Sequence, residues 1–240
     1  MNANPAALLN PVFVALDTTD PDYARQLAER VRPSVGGLKL GLEFFNAHGP
    51  QGIRPFLDMG LPVFLDLKYH DIPNTVAGAC RAAASLGVSI LNVHAQGGAA
   101  MMRAALDGVK SVSPSTKLIA VTMLTSLSDE DLPSVGLTPP VGDQVLRLAS
   151  LTQQCGLDGV VCSAHEIEPL RKELGPDFLL VVPGIRPAGA ATGDQRRVMG
   201  PAQARDAGAS VLVIGRPITQ AADPGQAARD IAESLGISAG

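Results

Sequence analysis

The stretch Phe64-Leu-Asp-Leu-Lys-Tyr-His-Asp-Ile-Pro-Asn-Thr75 decides how the rest of the chain is read. An apolar run leads into Asp66, Lys68 and Asp71, charges of alternating sign at the end of a buried-looking strand. Charges rarely sit at such a place unless they are paired, and paired charges there are candidates for chemistry. In an extended strand, residues two apart share a face, so Asp66 and Lys68 project together. Asp71 falls beyond them, where Asp-Ile-Pro-Asn must leave the strand and start a helix.

Working outward, similar short β-branched runs recur on both sides. They cover Val12–Asp17, Gly37–Gly41, Pro62–Lys68, Ser89–Ala95, Lys117–Leu124, Gly159–Ala164, Phe178–Gly184 and Ala209–Arg216. Continuous apolar stretches such as Val-Leu-Val-Ile at 211–214 predict strands buried on both faces, as in parallel sheets. Helical patterns lie between them. Asn74 or Thr75 is expected to cap one helix, with Val76, Cys80, Ala83 and Ala84 as its apolar stripe and Gly87 at its end. Another is expected from about Gly142 to Cys155, with Val141, Val145, Leu148 and Ala149 on one face. Eight strands alternating with helices predict a parallel α/β fold. With no Gly-x-Gly-x-x-Gly fingerprint, a closed (β/α)8 TIM barrel is favoured over a doubly wound sheet. No Pro/Ser-rich linker divides the chain, so residues 1–240 are expected to form a single catalytic domain.

Composition agrees with that size and class. The chain has 240 residues, 46% hydrophobic and 18% charged, enough for one full core and close to the roughly 250 residues of a TIM barrel. A net charge of −4 gives no reason to expect nucleic acid or an anionic membrane as partner, so any anion must be held by a local cluster of cations. Met1 to Pro11 has no basic leader or apolar core, and no apolar run approaches the roughly 20 residues of a membrane span. Cys80, Cys155 and Cys162 are scattered without metal spacing. The expectation is a cytoplasmic protein in a reducing compartment.

The polar residues sharpen the functional reading. Asp17, Lys39, Asp66 with Lys68, His94, Thr125, Gly184-Ile-Arg186 and Gly215-Arg216 all fall at or just after the C-terminal ends of expected strands. That end carries the active site in barrel enzymes. Two sub-sites separate. Arg186 and Gly215-Arg216 follow strands 7 and 8, where barrels bind phosphate, and Arg supplies a donor fork matched to it. The plainer alternative for Arg216 is a surface cation. The small-residue segment from Arg186 to Gln195 is expected to form a lid over the anion.

The second sub-site is Lys39, Asp66, Lys68 and Asp71. Its charges nearly cancel, so no metal is demanded, and the carboxylates favour a protonated Lys68. Such a lysine on a rigid strand can protonate a carbanion and stabilise its charge. The plainer alternative is an ion-pair network that only fixes barrel register, although such networks stabilise poorly against an apolar core. His94 is as readily a hydrogen-bonded rim residue as a ligand contact. His70 is expected to turn away from Lys68, and Cys162 to pack in the core.

These residues resemble a known family. Asp66-Leu-Lys-Tyr-His-Asp-Ile-Pro-Asn-Thr75 is similar to the signature of the orotidine 5′-phosphate decarboxylases in their common bacterial form. The resemblance extends through Val-Ala-Leu-Asp17, Leu-Lys39-Leu-Gly, Asn-Val-His-Ala95, Val-Thr-Met-Leu-Thr125-Ser, Gly-Val-Val-Cys-Ser163, Pro-Gly-Ile-Arg186-Pro, Asp194-Gln195 and Ile-Gly-Arg216. It implies a carboxy-lyase (EC 4.1.1.23) that converts orotidine 5′-monophosphate to UMP and CO2 without metal or cofactor, the last step of de novo pyrimidine synthesis. Lys68 would be the proton donor to ring carbon 6, Asp66 would lie beside the departing carboxylate, and Lys39 would bridge the network and the ribose. Asp71 and Thr75 would serve the partner's site in a homodimer with shared active sites. Asp17 would bind ribose hydroxyls and Thr125 would lie near the pyrimidine. Gln195, Gly215 and Arg216 would hold the phosphate, with Arg186 closing over it. Two rivals stay open on the residues alone: a Mg²⁺-dependent enzyme acting on another sugar phosphate, and a non-catalytic sensor of phosphate ligands.

Overall fold

A computed structural model describes residues 10–187 and 199–237. Its strands are β1 Val12–Ala15, β2 Gly37–Gly41, β3 Val63–Tyr69, β4 Ile90–His94, β5 Lys117–Val121, β6 Gly159–Val161, β7 Leu179–Pro183 and β8 Val211–Ile214. They pair in parallel in sequence order, and β8 returns to β1 to close the barrel. The helices are α1 Pro21–Val31, α2 Leu42–Leu57, α3 Pro73–Ala84, α4 Gly98–Lys110, α5 Val141–Gln154, α6 Ile167–Leu174, α7 Pro201–Asp206, α8 Arg216–Thr219 and α9 Pro224–Ser234. Among the described residues no helix is long and apolar enough to cross a membrane.

Strand periodicity divides the apolar side chains into two cores. Phe13, Ala15, Phe64, Ile90, Ile119, Leu179, Val181, Val211 and Val213 point inward and fill the barrel. Their neighbours, among them Val12, Val14, Leu65, Leu91, Leu180 and Leu212, point outward and pack under the helices. Burial on both faces explains why these strands read as continuous apolar runs. Inside the barrel the layers must also fit one another. A Cβ on Gly37 would stand 2.4 Å from the Phe13 ring, so the absence of a side chain there makes room for that ring in the inner core.

The expected strands are all present, several of them shorter at their C-terminal ends. The chain turns away at Leu16-Asp17, Thr122-Met123 and Gly215-Arg216, so those residues form the mouth instead of the wall. The cap of α3 differs from expectation. The cap position is Ile72, with Pro73 in the first turn, rather than Asn74 or Thr75. Proline already holds the helical φ and has no N–H to satisfy, so a helix can open on it without a side-chain cap. The expected stripe of Val76, Cys80, Ala83 and Ala84 is buried. In α5, Val141, Val145 and Ala149 are buried as expected.

Candidate active site

The C-terminal mouth encloses a cavity of about 480 Å³. Ala15, Phe64, Val121, Val161, Val181 and Val213 form its apolar floor, continuous with the inner core. Above them stand Asp17, Lys39, Asp66, Lys68, Thr125, Arg186, Gly215 and Arg216, all residues expected from the sequence to line the site. Gly184, noted in the sequence at the end of strand 7, also lines it, and Met123, Leu124, Pro183, Thr219 and Gln220, which were not anticipated, complete the lining. Pro183 ends β7, Met123 and Leu124 follow β5, and Thr219 and Gln220 lie at the end of α8, where the path of the chain beyond each strand decides which side chain turns in.

One wall is a chain of alternating charges. Lys68 Nζ donates to Asp66 Oδ1 at 2.6 Å, Lys39 Nζ lies 3.5 Å from Asp66 Oδ2, and Lys39 Nζ also donates to Asp17 Oδ1 at 3.0 Å. The Lys39 and Asp66 side chains are only 10% and 13% exposed, so water screens this contact weakly. Burial pushes the Asp66 carboxyl up, but Lys39, Lys68 and the hydrogen bonds from Lys68 and Asn92 outweigh it, leaving Asp66 below the ordinary carboxylate range. Asp66 is therefore an anion held between two ammonium groups.

The backbone under this wall is not a regular strand. Lys68 has φ of 51°, a left-handed conformation that costs a residue with a side chain about 1–2 kcal/mol. Pairing with β4 shifts register in the same place: Leu65 is opposite Leu91, but Tyr69 is opposite Val93. Four steps along β3 therefore face two along β4, a bulge that re-aims the side chains of Asp66 and Lys68 at the mouth. Asn92, fully buried at the centre of β4, bridges the irregularity. Its Nδ2 donates to Asp66 Oδ1 at 2.6 Å, and its Oδ1 accepts from the Lys68 backbone N–H at 2.8 Å. The sequence reading gave Asn92 no role of its own. Its available signal was a lone amide at an inward position between apolar neighbours, Leu91 and Val93.

The opposite wall is cationic. β7 lies four places from β3 in the ring of eight, and β8 is its neighbour. Arg186, buried behind β7, donates from Nη1 to the Ile185 carbonyl at 3.0 Å. Burial and then the charge of Arg216 lower its proton affinity, so the two guanidinium groups stand close enough to repel. Two fixed cations beside Gly215, which opens the single turn of α8, make this side of the cavity attractive to a dianion.

Asp71 and Thr75 do not join this cavity. Both are exposed, Asp71 in the loop after β3 and Thr75 in the first turn of α3. Asp71 Oδ1 accepts from the backbone N–H of Ile72, whose side chain is 68% exposed. Gln195 and most of the expected lid lie outside the described residues. His70 and His94 face one another with ring centres 5.5 Å apart, and neither lines the cavity. Cys162 is fully buried in the outer core, as expected.

Comparison with known proteins agrees with this geometry. Residues 10–231 match the family described as Orotidine 5′-phosphate decarboxylase / HUMPS family. The chain belongs to this family. An orotidine 5′-phosphate decarboxylase of Paramagnetospirillum magneticum is 52% identical over 96% of this chain and all of the relative. One from Rhodospirillum rubrum is 56% identical over 94% of each chain. Among solved structures, the orotidine 5′-phosphate decarboxylase of Lactobacillus acidophilus superposes with a TM-score of 0.84 at 39% identity, covering 94% of this chain and 99% of that one. The barrel found here is thus the barrel of that solved relative.

Proposed function

We propose that the chain decarboxylates orotidine 5′-monophosphate to UMP and CO2, using its own side chains with neither metal nor organic cofactor. The observation that carries this reading is the pairing of walls: an Asp66-centred lysine chain faces two arginines across one apolar-floored cavity. The arginine side takes the phosphate, the floor takes the pyrimidine, and the reacting carbon meets Lys68.

Loss of CO2 leaves an electron pair in the plane of the ring, where the ring π system cannot delocalise it. Stabilisation must then come from fixed charge placed at that carbon. Lys68, whose ammonium donates to Asp66, supplies the charge and then the proton, forming the new C–H bond as the lysine becomes neutral. Asp66 sits beside the departing carboxylate. Lys39 links Asp66 to Asp17, which takes the ribose hydroxyls, and Thr125 addresses the pyrimidine edge. Gly215, Arg216 and Gln195 hold the phosphate while Arg186 closes over it. Because the phosphate is remote from the reacting carbon, its binding energy is available to organise the site around the substrate.

Asp71 and Thr75 act in the site of a second copy. Their exposure outside their own cavity, next to the exposed Ile72, supports that assignment. The protein works as a homodimer in the cytoplasm, in keeping with three cysteines that are all buried. Purified protein mixed with orotidine 5′-monophosphate in excess chelator is expected to lower the ultraviolet absorbance as substrate becomes UMP. No change at micromolar enzyme rejects the proposal, and activity that appears only with added Mg²⁺ rejects its metal-free form.

A further inference from the structure

We infer that Asn92 is a positioning residue for the reaction, setting both the Asp66 carboxylate and the backbone of Lys68 at the bulge of β3. This inference rests on the decarboxylase reading for its kinetic consequence, though not for its geometry.

Three observations converge on this residue. First, Asn92 is fully buried, where an amide is retained only if its donors and acceptor find partners. It does so by bonding the two reacting-wall residues and not its strand neighbours. Second, both bonds fall within the register shift between Leu65 and Tyr69, where the regular β3–β4 ladder is interrupted. The side chain of Asn92 stands in for ladder bonds that the bulge removes. Third, Lys68 carries the one positive φ among non-glycine described residues, and its N–H is the group Asn92 accepts from. Without that anchor, Lys68 is free to relax toward ordinary strand geometry, which swings its ammonium away from the cavity.

Inward parity explains why β4 supplies this residue. Ile90 belongs to the inner core and pairs with Phe64, so Asn92, two residues on, points into the barrel one layer higher, level with Asp66. An apolar residue of equal size would fill the space but leave Asp66 one donor short. Lys39 and Lys68 continue to act on Asp66, Asp17 holds Lys39 from its other side, and His94, with His70 against it, faces Asp66 as well, so the loss of one donor shifts Asp66 without removing its partners.

The test uses Asn92→Ala and Asn92→Asp in the full chain. The first removes both bonds. The second keeps the shape and the acceptor for Lys68 but replaces the donor to Asp66 with a carboxyl. For Asn92→Ala, kcat is expected to fall by about 10²-fold while KM and UMP affinity change little, because small misplacements at the reacting atoms cost rates of that order. For Asn92→Asp, the acid limb of kcat is expected to move to higher pH, since two adjacent carboxyls take up a proton more readily than one. Carbon-13 NMR of Asp66, assigned with Asp66→Asn, gives a readout independent of turnover: its titration should move up in both variants, and the Lys68 amide signal should shift in Asn92→Ala alone. If wild type proves inactive on orotidine 5′-monophosphate, the function proposal fails and the NMR readouts still decide the role of Asn92. Should Asn92→Ala not fold, the near-isosteric Asn92→Asp carries the test. An unshifted Asp66 titration with kcat within about threefold of wild type, well short of a positioning loss, overturns the inference.

Discussion

At the scale of single residues, the site turns on Lys68, two residues from Asp66 on the same strand. Lys68→Ala removes the ammonium that donates to Asp66 at 2.6 Å, so kcat is expected to drop at least about 10²–10⁴-fold, the usual contribution of a positioned acid. UMP binding should persist, because the arginine wall is untouched, and isothermal titration checks it. A second residue makes a pH-dependent stability prediction. Burial first, then the charges of His70 and Lys68, hold His94 below its ordinary value of 6.5, and its Nδ1 has no partner among the described residues. Its folded pKa is below its unfolded one, so unfolded chains bind the proton first. Stability is therefore full above the unfolded value and declines as pH falls from there through the folded value. His94→Gln should flatten that decline, which urea unfolding at about pH 7.5 and about pH 5.5 would show. Much of this wall was legible as residue types: Asp66 and Lys68 two apart, Lys39 at another strand end. The left-handed turn at Lys68 was not, because strand parity assumes regular backbone. Asn92 escaped attention because its function depends on which atoms a bulge leaves unpaired.

At the scale of elements, eight strands were readable because each is buried on both faces and so spelled in β-branched residues. Their ends were less readable, since a barrel mouth is where apolar spelling stops while extended backbone continues. The floor gives a test of packing. Gly37→Ala places a methyl against the Phe13 ring, so it should destabilise by about 1–3 kcal/mol, the usual cost of overpacking, and Phe13→Leu in the same chain should recover part of it. Thermal and urea unfolding of the single and double variants measure the coupling. At the opposite end of the barrel, Arg171 of α6 ties loops together. Its Nη1 donates to the carbonyls of Gly175, Pro176 and Phe178, and its Nη2 to the Gly208 carbonyl and Ser210 Oγ. Lysine cannot reproduce that planar fork, so Arg171→Lys should lose about 1–3 kcal/mol of stability. The kcat of the folded fraction should be unchanged, because none of these groups touches the cavity.

At the scale of the whole molecule, the distribution of the signature residues is the informative feature. Asp66 and Lys68 face the cavity of their own chain, whereas Asp71 and Thr75, a few residues on, stand exposed outside it. A motif that serves one chemistry but splits across two surfaces makes sense if a second copy presents its Asp71 to this cavity. Two-fold symmetry then gives each dimer two composite sites, each with Lys68 from one chain and Asp71 from the other. Lys68→Ala and Asp71→Ala homodimers should both be nearly inactive, each lacking one part at both sites. Mixed and allowed to exchange, they form heterodimers in which one site has lost both parts and the other is intact. With random reassortment of equal amounts, half the dimers are mixed and each carries one good site, so activity should recover to about a quarter of wild type. Sedimentation at the assay concentration must show dimers for the argument to hold. Mixtures that stay as inactive as their components, while exchange is demonstrated by mass-tagged subunits, would remove Asp71 from the partner's site.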